Sequence, residues 1–391
     1  MSKTCKYYGK CGGCQTPNLT YPEQLSMKMA KVIGLMGRLC HVDEIVPMDD
    51  PYHYRCKVQT AFTRAGNEML AGIYQSATGR VIPAKACLLE DPEAAKITRT
   101  AVKLAREMHL TVYNPKNGRG LLRHILVRTS RKTGQAMLVI VTGKSPFTKA
   151  RAYTDALVAA CPNLATVVHC VNDSDVAMAF GPKSTVLYGD GYFEEEILGR
   201  RFRVSARAFL QVNPTQTEKL YRLAIDAAAL TGRETVIDAY CGVGTLGILA
   251  ASKAGYVTGV EVIPEAAADA GVNAVLNSIS NAAFLAGDAG EYMAGLAAEK
   301  KRVDVVMMDP PRAGCDKKFL ASLVKLAPQR VVYVSCNPET LARDARYLTK
   351  NGYRVTKVTP VDMFPWTTHV ECVACLSREK NHAKGSPDRH G

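Results

Sequence analysis

From Glu234 onward, short runs rich in β-branched and other apolar residues alternate with longer stretches whose apolar positions recur at helical spacing. Residues 235–239, 256–262, 283–286, 303–308 and 330–335 read as strands, and residues 246–253, 265–277, 291–299, 318–326 and 339–350 as the helices that follow them. Two closing strands, 354–361 and 370–376, come without a long helix between them, which predicts an antiparallel final hairpin. Strand-helix alternation of this kind predicts an α/β fold of the doubly wound class, a parallel sheet with helices on both faces. The first half lacks that rhythm. Strand-like runs at 57–63, 120–129 and 135–142 sit among turns, with one helical stretch at 93–108, so residues 1–205 are expected to form a separate mixed α+β domain. Residues 206–378 form the alternating domain, and the polar segment 379–391 reads as a disordered tail.

The chain has 391 residues, 47% hydrophobic and 22% charged, which suits two or three globular domains. Its longest apolar runs, such as 136–141, fall far short of the roughly 20 residues that span a bilayer, so no membrane partner is expected. The first ten residues carry three lysines with no apolar stretch behind them, which predicts no secretory leader and a cytoplasmic protein. No protein partner is implied, and a monomer is expected. Thirteen cysteines cannot all pair; in a reducing compartment they read as metal ligands, nucleophiles or small buried hydrophobes. The net charge is +14, unevenly spread: residues 1–205 hold 28 basic and 17 acidic side chains, whereas residues 206–391 hold 22 and 19. Between His109 and Thr154 there are nine Lys or Arg and no acid, which predicts either a surface for a polyanion or a solvated basic face.

The first strand of the alternating half ends Asp238-Ala239-Tyr240-Cys241-Gly242-Val243-Gly244, where Gly242 and Gly244 permit a tight turn close to a ligand. Glu261 ends the second strand, about 20 residues on, where an acid meets ribose hydroxyls; Asp288 ends the third. With neither a full GxGxxG fingerprint nor a GxxxxGK[ST] phosphate loop, a nucleoside ligand without phosphates, S-adenosylmethionine, fits better than NAD or ATP. The fourth strand ends Met308-Asp309-Pro310-Pro311-Arg312, the fifth Ser335-Cys336-Asn337-Pro338, and the last hairpin carries His369-Val370-Glu371. Strand ends of a doubly wound sheet share one rim, so Cys336 stands where a nucleophile belongs and Glu371 where a base belongs. At the N-terminus, Cys5, Cys11 and Cys14 lie close together and Cys87 follows about 70 residues later. Four such thiols suit either an iron–sulfur cluster or zinc.

Taken in order, Phe209-Leu210-Gln211-Val212-Asn213, Asp238 to Gly244, Met308 to Arg312, Ser335 to Pro338 and His369 to Glu371 resemble the RNA uracil-5 methyltransferase family, which makes 5-methyluridine in ribosomal and transfer RNA. The likeness runs back through Tyr54-Arg55-Cys56-Lys57-Val58-Gln59 and Leu122-Arg123-His124-Ile125, and so covers nearly the whole chain. It implies a seven-stranded Rossmann-like methyltransferase domain and S-adenosylmethionine as methyl donor. Gln211, Tyr240, Glu261 and Asp309 would contact that donor or the target base, with Cys336 as nucleophile and Glu371 as general base. Cys56 departs from the family, which commonly has Asn there, and this bears on a local contact in the RNA-binding domain. The iron–sulfur members have a similar four-cysteine pattern, which implies a [4Fe-4S] cluster on Cys5, Cys11, Cys14 and Cys87, structural or RNA-positioning in role, and a target in 23S ribosomal RNA. Because the cysteine motif begins at residue 5, no room is expected for the N-terminal RNA-binding β-barrel of some members. Two other classes compete. One is a non-catalytic RNA-binding assembly factor, against which Cys336 and Glu371 together argue; the other is a nucleic-acid oxidoreductase, which lacks a flavin or nicotinamide fingerprint.

Overall fold

The computed structural model describes residues 5–75, 78–84, 86–174, 180, 181 and 183–379; residues 1–4 and all of the expected tail but Glu379 lie outside them. Helix α1 (Tyr21–Met36) starts at a capping box, with Thr20 and Glu23 each satisfying the other's backbone N–H. It leads to β1 (His41–Val42), β2 (Lys57–Ala65), β3 (Glu68–Tyr74) and β4 (Val81–Ile82), then α2 (Pro92–Glu107). Next come β5 (Leu122–Thr129), β6 (Ala136–Thr142), α3 (Ala150–Ala160), β7 (Leu164–Val171), β8 (Lys183–Gly189), the hairpin β9 (Tyr192–Ile197) and β10 (Arg200–Ser205), and α4 (Pro214–Ala228). The alternating half comprises β11 (Thr235–Ala239), α5 (Thr245–Ala251), β12 (Tyr256–Glu261), α6 (Pro264–Leu276), β13 (Ala282–Ala286), α7 (Ala289–Ala298), β14 (Val305–Met308), α8 (Lys317–Leu326), β15 (Arg330–Ser335), α9 (Pro338–Lys350), β16 (Tyr353–Val361) and β17 (Glu371–Arg378).

The C-terminal sheet has the order β1-β16-β17-β15-β14-β11-β12-β13. Strands β11 to β15 are parallel, and β17 runs antiparallel to both β15 and β16, as the two closing apolar runs require. Chain order reverses between β14 and β11, and at such a switch point the loops leave a crevice at the carboxyl ends of the strands. Helix α9 shows how the pattern produces the packing: Leu341, Ala345 and Leu348 recur at helical spacing and are fully buried.

Two features differ from the expectation. The seven strands carry an eighth, β1, paired in parallel with β16 (His41 opposite Lys357), and α1 packs beside α9, where Arg346 donates to the carbonyl of Leu35. Residues 21–46 therefore pack against the C-terminal sheet. A two-residue strand is too short to show a period, which is why the pattern missed it. The N-terminal sheet, β4-β3-β2-β5-β6-β7-β8, is antiparallel except between β6 and β7. One continuous core joins it to the C-terminal sheet: Val139 and Val168 from the first, Phe193 and Phe202 from the β9–β10 hairpin, and Val236 and Val332 from the second.

Candidate active site

The turn after β11 is built around Asp238. Its carboxylate, almost wholly buried, accepts from the Gly247 N–H at 2.7 Å and so ties the strand end to α5. Burial pushes Asp238 up to about 8, with Asp309 and Glu261 adding to the rise and the Gly247 N–H opposing it. Tyr240, Gly242 and Gly244 all take positive φ, of 65°, 56° and 80°. At Gly244 a Cβ would also stand 2.9 Å from Ala270 Cβ and 3.0 Å from the Phe284 ring, so only glycine fits. Gly244 packs on those two side chains and shapes the turn from behind. Gly242 lines the cleft itself, with Gly244 two residues further along the same turn.

That cleft has a volume of about 890 Å³ and gathers the other predicted residues: Gln211, Tyr240, Gly242, Glu261, Asp309, Cys336 and Glu371. Glu261 accepts from the Gly242 N–H at 3.0 Å and from the Ile263 N–H at 2.9 Å, which fixes its carboxylate at the rim. A carboxylate has about four acceptor positions, so two remain for hydroxyl donors. Asp288 caps α7 through the Glu291 N–H at 2.8 Å and lines the same end.

The reacting corner lies at the ends of β14, β15 and β17. Asn337 caps α9 and donates to the Arg312 carbonyl at 3.2 Å, so the two Pro-containing turns brace each other around Cys336. Burial pushes the Cys336 thiol up to about 11; the Glu371 and Asp309 charges add to the rise and Arg312 opposes it. Burial also raises Asp309, against a hydrogen bond from Gln211, and raises Glu371, to which the Asp309 charge adds. Two carboxyls competing in this way ionise in steps that belong to the pair. Glu371 lines the cleft, and its Oε2 is buried with no hydrogen-bond partner.

A carboxyl raised by folding binds its proton more tightly in the folded than in the unfolded chain. Its contribution to stability is full below the ordinary value near 4.3 and is lost as pH rises through the folded value. Glu371→Gln is therefore expected to melt higher than the parent chain at about pH 8.5, with the gain shrinking toward about pH 5. Thermal unfolding followed by circular dichroism at the two pH values checks this, and a lower midpoint at both would contradict it.

Among the other side chains that line the cleft without an assigned role are Arg55, Phe209, Arg312, Phe364 and His369. Arg312 and His369 meet at 3.3 Å, and burial together with the Arg312 charge holds the imidazole below its ordinary value. Phe209, Arg312 and His369 stood within quoted motifs, which was the available signal. Arg55, before β2, stands within the quoted run from Tyr54 to Gln59, whereas Phe364 stands outside every quoted motif.

Cys5, Cys11, Cys14 and Cys87 line a second cavity of about 340 Å³. Backbone N–H groups of Tyr7 and Gly13 donate to Cys5 Sγ at 3.4 Å and Cys11 Sγ at 3.3 Å, and those of Leu89 and Glu90 donate to Cys87. Burial, then the neighbouring Cys87, Cys11 and Cys5, push Cys14 up to about 12. Among the described residues, no three His, Cys, Asp or Glu side chains are drawn together closely enough to hold a single metal ion. Arg55 and Phe364 line both cavities and form the wall between them.

The basic run from His109 to Thr154 is not one cationic face. Arg123 is buried under the carbonyls of Asn172 and Ser174, and Arg128 under that of Ala208. Arg131 pairs with Asp91 at 2.8 Å, Lys144 with Asp173 at 2.9 Å and Lys132 with Glu218 at 3.7 Å. The acids absent from the run arrive from elsewhere in the fold. No helix among the described residues is long and apolar enough to cross a membrane.

The model of the tRNA (uracil-5-)-methyltransferase family matches residues 183–379. An uncharacterized RNA methyltransferase of Halalkalibacterium halodurans is 41% identical over 95% of this chain and 82% of its own length, and one of Bacillus cereus is 40% identical over the same shares. Among solved structures, the tRNA (uracil-54, C5)-methyltransferase of Pyrococcus abyssi, in complex with S-adenosyl-L-homocysteine, superposes with a TM-score of 0.76 at 27% identity, over 93% of this chain and 85% of that one.

Proposed function

Because the chain belongs to the tRNA (uracil-5-)-methyltransferase family, we propose that its cleft methylates C5 of a uridine in 23S ribosomal RNA through a covalent bond from Cys336 to C6 of the base. The observation that carries this reading is the meeting of Cys336, Asp309, Gln211 and Glu371 in one cleft with the glycine turn and Glu261. S-adenosylmethionine, when bound, supplies an electrophilic methyl group; Tyr240, Gly242, Glu261 and Asp288 line the end of the cleft that would hold it.

C5 of uracil is a weak nucleophile. Addition of the Cys336 thiolate to C6 converts C4–C5 into an enolate, whose electron pair at C5 would take the methyl carbon while the methyl–sulfur bond's electrons stay on the donor's sulfur. Arg312 and Gln211 line the same corner as donors for the developing charge on the carbonyl. Glu371 then removes the C5 proton, and the electrons of that C–H bond expel Cys336 from C6. Glu371 must be ionised for this step and Cys336 must lose its proton for the first. Both are raised, so the rate of methyl transfer is expected to climb with pH through and above neutrality. The target base cannot reach Cys336 while stacked, so a uridine in a loop, where flipping is least costly, is the favoured substrate.

The cysteine cavity is read as the seat of a [4Fe-4S] cluster. Four thiols around a cubane stand farther apart than four around one tetrahedral ion, because the cluster fills the centre. Four cysteines that share one cavity, with backbone N–H donors on three of the sulfurs, offer the four thiolates that such a cluster takes. Anaerobically purified protein is expected to be brown with about four irons per chain, and Ser at any of the four positions to bleach it. Colourless protein with one zinc per chain would replace the cluster by zinc.

Assignment to ribosomal RNA leans on that four-cysteine set; the Pyrococcus abyssi relative favours transfer RNA instead. Incubation with labelled S-adenosylmethionine and both RNA classes decides. Label in free 23S RNA is expected, and label in transfer RNA alone would move the assignment.

A further inference from the structure

We propose that the strap between β16 and β17, residues 362–370, joins the cysteine cavity to the reacting corner as one mechanical unit, with Trp366 as a positioning residue for Glu371 and for the base held against Cys336. The inference rests on the uracil and cluster readings above.

The strap is anchored at its start by a fully buried ion pair, Lys28 to Asp362 at 2.5 Å, with Lys28 also donating to the Phe364 carbonyl at 3.0 Å. Its middle is held from the cysteine side. The Trp366 carbonyl accepts from the N–H groups of Gln15 at 3.0 Å and Thr16 at 3.2 Å, the two residues directly after Cys14. The indole Nε1–H donates to the Pro51 carbonyl at 2.7 Å, and the ring stacks on Tyr52 with centroids 5.1 Å apart. Cys14, Cys87 and Phe364 pack against the small core that contains Trp366. Beyond Trp366 the chain needs three residues to reach His369, which meets the Phe364 ring edge-on at 6.2 Å, and two more to reach Glu371, where β17 begins.

The cysteine segment up to Thr20 contains only turns and bends, closed by short-range hydrogen bonds such as Cys11 N–H to the Tyr7 carbonyl at 3.0 Å, so a group bound to its thiols would add to its order. Gathering the four sulfurs fixes Gln15 and Thr16, which fix Trp366, and through it Phe364, His369 and Glu371. Loosening the segment takes away the two hydrogen bonds to the Trp366 carbonyl and leaves the strap on its remaining anchors, the Phe364 carbonyl on Lys28, the Trp366 N–H on Gln24 Oε1 at 2.8 Å, and the indole on Pro51 and Tyr52. The cofactor end of the cleft, at Glu261 and Asp288, lies on β12 and α7 and has no part in this chain of contacts. Small displacements of reacting groups are costly; about 1 Å can cost on the order of a hundredfold in rate.

Trp366 is the chain's one tryptophan, so its fluorescence reports the strap directly. Full-length protein is compared with iron bound and after anaerobic chelation under reductant. Chelation is expected to shift Trp366 emission to the red and open it to acrylamide. Covalent trapping of 5-fluorouridine RNA should slow on the order of ten- to a hundredfold, with S-adenosylhomocysteine affinity changed less than about twofold. Tyr52→Ala is expected to keep its iron and to lower kcat without raising KM for the methyl donor, and Tyr52→Phe, which restores the stack, to recover it. Unchanged emission and trapping in the chelated protein would overturn the inference alone. A colourless purified protein would overturn the cluster reading and the inference with it, and absence of any adduct in the iron-loaded protein would overturn the uracil reading as well. If Tyr52→Ala does not fold, the chelation arm still decides.

Discussion

Replacing Cys336 by alanine is expected to remove methyl transfer almost entirely, by a factor on the order of 10⁴ to 10⁶, because no other group in the cleft can add to C6 and activate C5. The same variant should lose a second signal that the parent chain shows. RNA carrying 5-fluorouridine has no proton at C5 for Glu371 to take after methylation, so the parent enzyme is held as an adduct that survives denaturing electrophoresis. Cys336→Ala should give no such band. In the parent chain the Cys336 thiol rests protonated, pushed up to about 11 by burial and by Glu371 and Asp309, so trapping should quicken as pH rises. An undiminished band in the alanine variant would take the nucleophile's role from Cys336.

Glu371→Gln is expected to divide the reaction at its last step. Addition of Cys336 and methyl transfer remain possible, but the C5 proton has lost its acceptor, so turnover should fall roughly 10²- to 10⁴-fold. Ordinary RNA should then accumulate as a methylated covalent complex, visible as a shifted band in a denaturing gel and by mass. The orphaned Glu371 Oε2 underlies this expectation, because a buried carboxylate oxygen without a protein partner is free to take a proton from substrate. Gln has the same shape but cannot serve. Normal turnover in this variant would mean that Asp309 or water is the base.

The C-terminal half was largely legible as sequence. Its central strands are buried on both faces, so β15 reads Val331-Val332-Tyr333-Val334 without interruption, and all four side chains are fully buried. The turns after those strands hold Gly, Pro and Asn, whose local constraints place Cys336 and Asp309 at the rim whatever the rest of the chain does. Before Glu234 the pattern was weaker. Strand β8 has mostly exposed side chains and no alternation, and α4 buries Gln216 and Thr217 in place of apolar residues. Gln216 is at home there because its side chain donates to the carbonyls of Val46 and Asp362, each more than a hundred residues away.

That contrast separates what the residues determined locally from what required the fold. Periodicity, turn chemistry and the order of strand ends depend on neighbours a few positions apart, and from them came the doubly wound sheet, the glycine turn and the positions of Cys336 and Glu371. Partnership and desolvation depend on contacts between distant segments. Only the tertiary structure brings Asp91, Asp173 and Glu218 to the basic run, sets Arg55 between two cavities and adds β1 to the far sheet. It also places Glu371 beside Asp309 away from water, where burial and mutual repulsion raise a carboxyl that would otherwise titrate near 4.3.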